Sequence, residues 1–269
     1  MAEAVLRWPG LRSEYAWLAP HEGTTVTGGN QIGVSFRHHR KLVWESDGRA
    51  TEGDVPPGST IVTGHAGITW SRVREHTEAL EIYPDSELLR RLAGPWRSGP
   101  VEAPTMVGVS DGVVLGIASV LRRAHVTGSY LSDVAGSTLA ERLAIHLLSR
   151  YCGIAGLRRE ATRGRLDART VDRVAEFVDA HLDAPLSLAR LAEAAHLSPF
   201  HFARAFRDTV GMPPHEFVTS RRMDRAAALL QNTAMPVADV ANAVGFTNVS
   251  HFRRVFRRHT GRLPSDLRA

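Results

Sequence analysis

Residues 235–268, MPVADVANAVGFTNVSHFRRVFRRHTGRLPSDLR, read as two helices meeting at a tight turn, and this pair limits what the chain can become. Val237, Val240, Ala241 and Val244 place an apolar stripe at i, i+3, i+4 and i+7 on the first helix. Pro236 suits a helix start, where its missing N–H leaves no bond unmade. Gly245 supplies the left-handed residue that ends the helix, Phe246 seals the corner, and Thr247 or Asn248 can cap the second helix. Phe252, Val255 and Phe256 give that helix its buried side, with Arg253, Arg254, Arg257 and Arg258 on the rest. A short helix, a glycine turn and an arginine-laden second helix form the pattern of a helix-turn-helix that enters the DNA major groove.

The pattern occurs twice. In residues 187–214, Leu188, Leu191, Ala192 and Ala195 form the stripe, and Leu197 takes the corner. Ser198 and Pro199 come next as cap and first helical residue, with Phe202, Ala205 and Phe206 facing inward. Leu191-Ala192 recurs as Val240-Ala241 49 positions on. Phe202, Phe206, Gly211 and Pro214 recur 50 positions on, as Phe252, Phe256, Gly261 and Pro264, so the second turn has gained one residue. Agreement of stripe, aromatic pair and closing glycine marks an internal duplication.

These residues resemble the AraC/XylS family of bacterial transcription regulators. The family pattern is met by Val240-Ala241, Gly245-Phe246, Asn248, Ser250, Phe252, Arg254, Phe256, Arg257-Arg258, Gly261, Pro264 and Arg268. Leu263 and Leu267 depart from it, both beyond the second helix. Pro214, Phe217, Arg222-Met223, Ala226 and Leu229-Leu230 are also similar to the family, and the resemblance runs from about Leu166 to Arg268. It implies a regulator, not an enzyme, that binds a promoter or operator duplex. It also implies RNA polymerase and a small effector as further partners, a homodimer, and no cofactor or catalytic residue.

The expected fold class is α+β. Residues 1–152 would form a β-rich, cupin-like barrel with flanking helices, for sensing or dimerisation; 153–165, rich in Gly and Arg, a linker; and 166–269 an all-α domain of two helix-turn-helix units. A chain of 269 residues is long enough for two domains. Strands are expected at 14–18, 31–37, 41–45, 60–63, 67–73 and 79–83, between turn clusters such as Pro56-Pro57-Gly58. Helices are expected at 86–92, 112–123 and 131–151. The stripe of Leu139, Leu143 and Leu147 on the last either covers a domain core or, as the resemblance implies, pairs two subunits. No run of 18 apolar residues and no signal-peptide pattern occurs, so a cytoplasmic protein is expected. The lone Cys152 excludes an internal disulfide, and a methyl-acceptor repair role would need a cysteine cluster.

A cupin-type metalloenzyme with an appended DNA-binding domain is the alternative. It would need ligands that the barrel does not offer in pattern, because the adjacent His38 and His39 fall on opposite faces of a strand. Only His65 resembles a later ligand, so no metal is expected. Phe36, Trp44, His65 and Trp70 are the candidates for lining a small-molecule pocket, with a plain core as the other reading for the aromatics.

The net charge is +5, yet residues 196–269 carry eleven Arg against five acids, an excess of +6 that concentrates the positive charge in the last quarter. The candidate DNA-contacting residues are Phe200, His201, Ala203, Arg204 and Arg207 on the first reading helix. On the second they are Val249, Ser250, Arg253, Arg254, Arg257 and Arg258. Arg204 and Arg254 occupy matching positions and can bond guanine O6 and N7 together, whereas Arg207, Arg257 and Arg258 suit phosphates. A connecting helix expected at 213–231 spans about 28 Å, close to the ~34 Å recurrence of the major groove on one face of DNA.

Overall fold

Alternating apolar and polar residues between turns give the amino-terminal half its strands: β1 (Ala4–Trp8), β2 (Leu11–Leu18), β3 (His21–Val26), β4 (Ile32–Ser35), β5 (His39–Ser46), β6 (Arg49–Val55), β7 (Ser59–Val62), β8 (Thr69–Val73), β9 (Thr77–Pro84) and β10 (Met106–Ser110). The computed structural model describes residues 4–46, 48–64, 67–73, 77–94, 101, 103–154 and 164–267. Every strand pair is antiparallel, in one sheet ordered β1-β2-β9-β4-β7-β10 and another ordered β3-β8-β5-β6. Among the described residues no strand pairs from one sheet to the other, so the β-rich half expected from the sequence is present as two antiparallel sheets that do not close into a barrel. The strands β1, β3, β6 and β10 fall outside the expected segments; β6, RATEGDV, is a polar edge strand with no apolar alternation to reveal it.

Three helices come after the sheets in sequence or between their last strands: α1 (Ser86–Ala93), α2 (Gly112–Thr127) and α3 (Asp133–Arg150). Two compact units emerge, Met1–Ala118 with Leu131–Arg163, and Ser119–Tyr130 with Gly164–Ala269. The first unit thus gives up the carboxy-terminal part of α2, which the sequence had placed wholly in residues 1–152. Leu139, Ala140, Leu143, Ala144 and Leu147 of α3 are buried, and α3 lies on β1, β2 and β9. The leucine stripe therefore covers the core of its own unit, and a dimer would have to use another surface. Gly136 makes this possible at one point, since a Cβ there would lie 2.3 Å from the Trp8 ring. Asp111 ties α2 to α3. Its Oδ1 accepts from the N–H groups of Val113 and Val114, and its Oδ2 meets His146 Nε2 at 2.7 Å and the Tyr151 hydroxyl at 2.5 Å. Burial opposes its charge, but His146, Tyr151 and the Val114 N–H hold the carboxyl below the usual range.

Of the four pocket candidates, the structure describes the side chains of Phe36 and Trp44. Phe36 is 2% exposed and belongs to the core, because its ring is enclosed by packing. Trp44 is half-buried against Leu42 and Val55, and its backbone pairs with that of Trp70, whose side chain lies outside the described residues, as does His65. A small apolar cavity in this unit, lined by residues such as Ile32, Val62, Leu89 and Leu147, holds about 20 Å³, room for one water and not for an effector. His38 precedes β5 and lies 3.8 Å from Asp54, while His39 Nε2 lies 2.9 Å from the Thr77 hydroxyl. No group of three metal-ligating side chains occurs among the described residues.

The second unit contains α4 (Ala168–Ala180), α5 (Leu188–Ala194), α6 (Pro199–Val210), α7 (Pro214–Asn232), α8 (Val237–Ala243), α9 (Val249–Thr260) and a short 3-10 turn, Pro264–Leu267. Most of the expected linker, 155–163, lies outside the described residues, while Ile154 packs with Ala93 and Leu148. The two turns are built alike. Leu197 N–H donates to Ala192 O at 2.9 Å, and Phe246 N–H to Ala241 O at the same distance. Gly245 has φ +76°, and a Cβ there would stand 2.7 Å from Leu182 O. The matching residue of the first turn is His196, which holds φ +57° despite its side chain. Leu188 and Leu197, expected inside, are 42% and 39% exposed, because α5 is short and its buried face needs only Leu191, Ala192 and Ala195.

His196→Gly relieves the left-handed strain and should raise the urea midpoint, a gain of roughly 0.5–1 kcal/mol, whereas Gly245→Ala should lower it by about 1–2 kcal/mol. Loss of water around Glu81 pushes its carboxyl from 4.5 up to about 7, with the Gln31 hydrogen bond opposing and Glu14 adding to the rise. Its folded value exceeds its unfolded one, so its contribution is complete below about 4.5 and is lost as pH rises through about 7. Glu81→Gln should therefore melt higher relative to the parent at pH 8 than at pH 5, read by thermal denaturation across that range.

Candidate nucleic-acid interface

Each reading helix is positioned by a cap, an aromatic pair and a closing glycine. Ser198 accepts from His201 N–H at the start of α6, with Pro199 in the first turn, and Gly211 ends it at φ +91°. Of the two capping residues left open for α9, Asn248 is the one used: it accepts from His251 N–H at 2.8 Å, and Gly261 ends the helix at φ +71°. Phe202 and Phe206 lie 5.3 Å apart and Phe252 and Phe256 5.5 Å, all fully buried. Phe206 packs edge-on against Phe217 of α7 at 5.4 Å. Phe246 meets Phe252 at 5.7 Å and lies under the Arg222 guanidinium at 5.8 Å, also from α7. The connector α7 is thus common ground for both readers, and its nineteen residues start one position later than expected.

With those rings turned inward, the opposite faces meet solvent. On α6, Phe200 is 75% exposed and His201, Arg204 and Arg207 are exposed, while Ala203 and Ala205 are half-buried. On α9, Ser250, Arg253, Arg254, Arg257 and Arg258 are exposed and Val249 is half-buried. The four arginines border one open groove of about 660 Å³ whose remaining wall is Val126, Thr127, Gly261 and Leu263. No carboxylate pairs with them among the described residues. Arg204, by contrast, lies 3.9 Å from Asp208.

A helix-turn-helix domain family model matches residues 191–269. The chain is 34% identical to the regulatory protein SoxS of Salmonella typhimurium over 98 residues, 36% of this chain and 92% of that protein. The chain belongs to the AraC-type family of DNA-binding transcription regulators. It is also 36% identical over 135 residues to the arabinose operon regulatory protein of Escherichia coli, spanning 48% of this chain and about half the length of that relative, 45%. A solved AraC-type regulator from Chromobacterium violaceum aligns with 37% of this chain and 89% of its own, at 26% identity and a TM-score of 0.36. No described helix is long and apolar enough to cross a membrane.

Within this AraC-type frame the two readers differ at matched positions. Ala203 corresponds to Arg253 and Asp208 to Arg258, so α9 carries four positive charges where α6 carries two and an acid. One exposed residue of this face was missed in the sequence. His251 stacks on Phe246 at 5.6 Å and its Nδ1 meets Arg254 Nη2 at 3.0 Å. The signal that could have found it was the duplication, since His251 stands 50 positions after His201, itself a candidate.

Arg257→Ala should reduce the steepness of the logarithmic fall of DNA affinity with salt by about 0.9, the loss of one phosphate neutralised, with little change in which sequence is preferred. Titrations of one duplex at several salt concentrations measure this slope.

Proposed function

We propose that the protein regulates transcription by placing α6 and α9 in successive major grooves of one operator duplex, under the control of a small ligand at its amino-terminal unit. The observation that carries this reading is the pairing of exposed Arg204 and Arg254 at equivalent points of two like-built helices joined by α7. Nineteen residues of α-helix reach about 28 Å, which suits the ~34 Å groove recurrence once the width of the readers is included. Arg204 and Arg254 take the role of base readers, with Phe200, His201, Ala203, Val249, Ser250 and Arg253 beside them. Arg207, Arg257 and Arg258 hold phosphates. The two open sheets and α1 to α3 would serve as a cupin-like sensor and dimerisation unit, residues 153–165 as its linker, and RNA polymerase as a partner at the promoter.

The test begins with selection of duplexes from a random pool by the full chain. A two-part consensus is expected, and recovery of no preferred sequence would overturn the reading. Arg254→Ala should then weaken binding to the selected duplex by ~1–3 kcal/mol and relax the preference at one base pair. Uniform weakening over all sequences would move Arg254 to the phosphate contacts.

A further inference from the structure

The last turn of α9 is held by a group that none of its helix-turn-helix neighbours supplies. Arg122, on the part of α2 that belongs to the second unit, is 3% exposed. Its Nη1 lies 2.9 Å from His259 Nε2 on α9 and 3.3 Å from Asp224 Oδ1 on α7. An arginine can only donate, so Arg122 can serve the Asp224 carboxylate and the His259 ring nitrogen as a common donor between α7 and α9. Asp224 is 3% exposed, and its Oδ2 has no hydrogen-bond partner among the described residues, which leaves Oδ1 to face both Arg122 and His259 at 3.4 Å. The approach of α2 is a matched run along α7: Ser119 meets Ser220 at 3.2 Å and Arg123 meets Glu216 at 2.8 Å. Beyond it, Val126 reaches Gly261, where an added Cβ would stand 2.8 Å from its side chain.

The duplication allows this place on the repeat to be compared in the two helices. Fifty positions before His259 stands Thr209, whose hydroxyl accepts from the N–H of Leu166 at 2.9 Å. The first reader is thus fastened by residues just ahead of α4. The second has the same position filled by an imidazole, and its fastener comes from α2.

We propose that Arg122 is a positioning residue for DNA reading, acting through His259 and Asp224 to fix the second recognition helix against the connector. Arg122 itself does not contact DNA. Arg253, Arg254, Arg257 and Arg258 lie on the helix it steadies, so its loss is felt by one reader. The inference rests on the two-groove reading.

The experiment uses the full chain and the duplex it selects from a random pool, with each half scrambled in turn. The half whose preference relaxes in Arg254→Ala marks the site of α9. In Arg122→Met, discrimination between native and scrambled sequence should fall at least tenfold at that half and less than twofold at the other. Arg122→Lys should restore part of it. Equal loss at both halves, or no loss, overturns the clamp. If Arg122→Met does not fold, Arg122→Met with Asp224→Leu removes the stranded carboxylate as well, and the same one-sided loss is expected. Normal reading of both halves by that double variant overturns it too. A parent chain that selects no two-part duplex overturns the two-groove reading together with the clamp, whereas failure of the Arg122 variants alone leaves that reading standing.

Discussion

Four phenylalanine rings decide where the arginines point. Phe202 and Phe206, and Phe252 and Phe256, sit one helical turn apart at full burial. Residues at i and i+4 share a face, so burying both fixes the rotation of the helix about its axis. Each ring contributes about 1.5–3 kcal/mol by leaving water, against 1 kcal/mol or less for an exposed ion pair such as Arg204 with Asp208. Packing therefore outweighs surface charge, and the outward faces are what the buried pair leaves over. Phe217, Met223, Ala226 and Leu230 extend the same logic along α7, which is buried at each of them and supports both readers at once.

The second unit was readable because its determinants are local. Caps, corner glycine, aromatic pair and closing glycine lie within one repeat, and the duplication supplied an internal control. The sheets were harder for a physical reason. Strand pairing joins residues far apart in sequence, β2 with β9 and β4 with β7, and no local pattern states the partner. The apolar alternation showed where several strands lie but did not show that β3, β5, β6 and β8 pair only with each other. The stripe on α3 was visible, and its own sheet covers it. Phe36 illustrates the same ambiguity at one residue: aromatic spacing is alike for a pocket wall and a core, and only enclosure separates them.

The assignment of Ser119–Tyr130 to the second unit could not be read at all. Gly112–Ser119 is apolar or small and buried throughout, the profile of a helix inside a core. Arg122 and Arg123 then look like its solvated end. Their partners, Asp224 and Glu216, are about a hundred residues away, and a buried carboxylate on α7 has no sequence pattern that calls for an arginine from elsewhere.

Duplication makes the remaining differences between the readers informative, since a common frame leaves only side chains to account for them. Caps and aromatic pairs match, while 203 and 253, 208 and 258, and 209 and 259 do not. At the first two, the change adds positive charge to α9 and leaves an acid on α6. The positive potential is thus stronger at α9 than at α6 within the ~8 Å screening length. At the third, a threonine that bonds Leu166 just ahead of α4 becomes a histidine that meets Arg122 of α2. The helix with more like charge is also the one whose last turn meets Arg122: like charges one turn apart repel by roughly 0.2–0.5 kcal/mol per pair, and a contact at His259 acts against that repulsion.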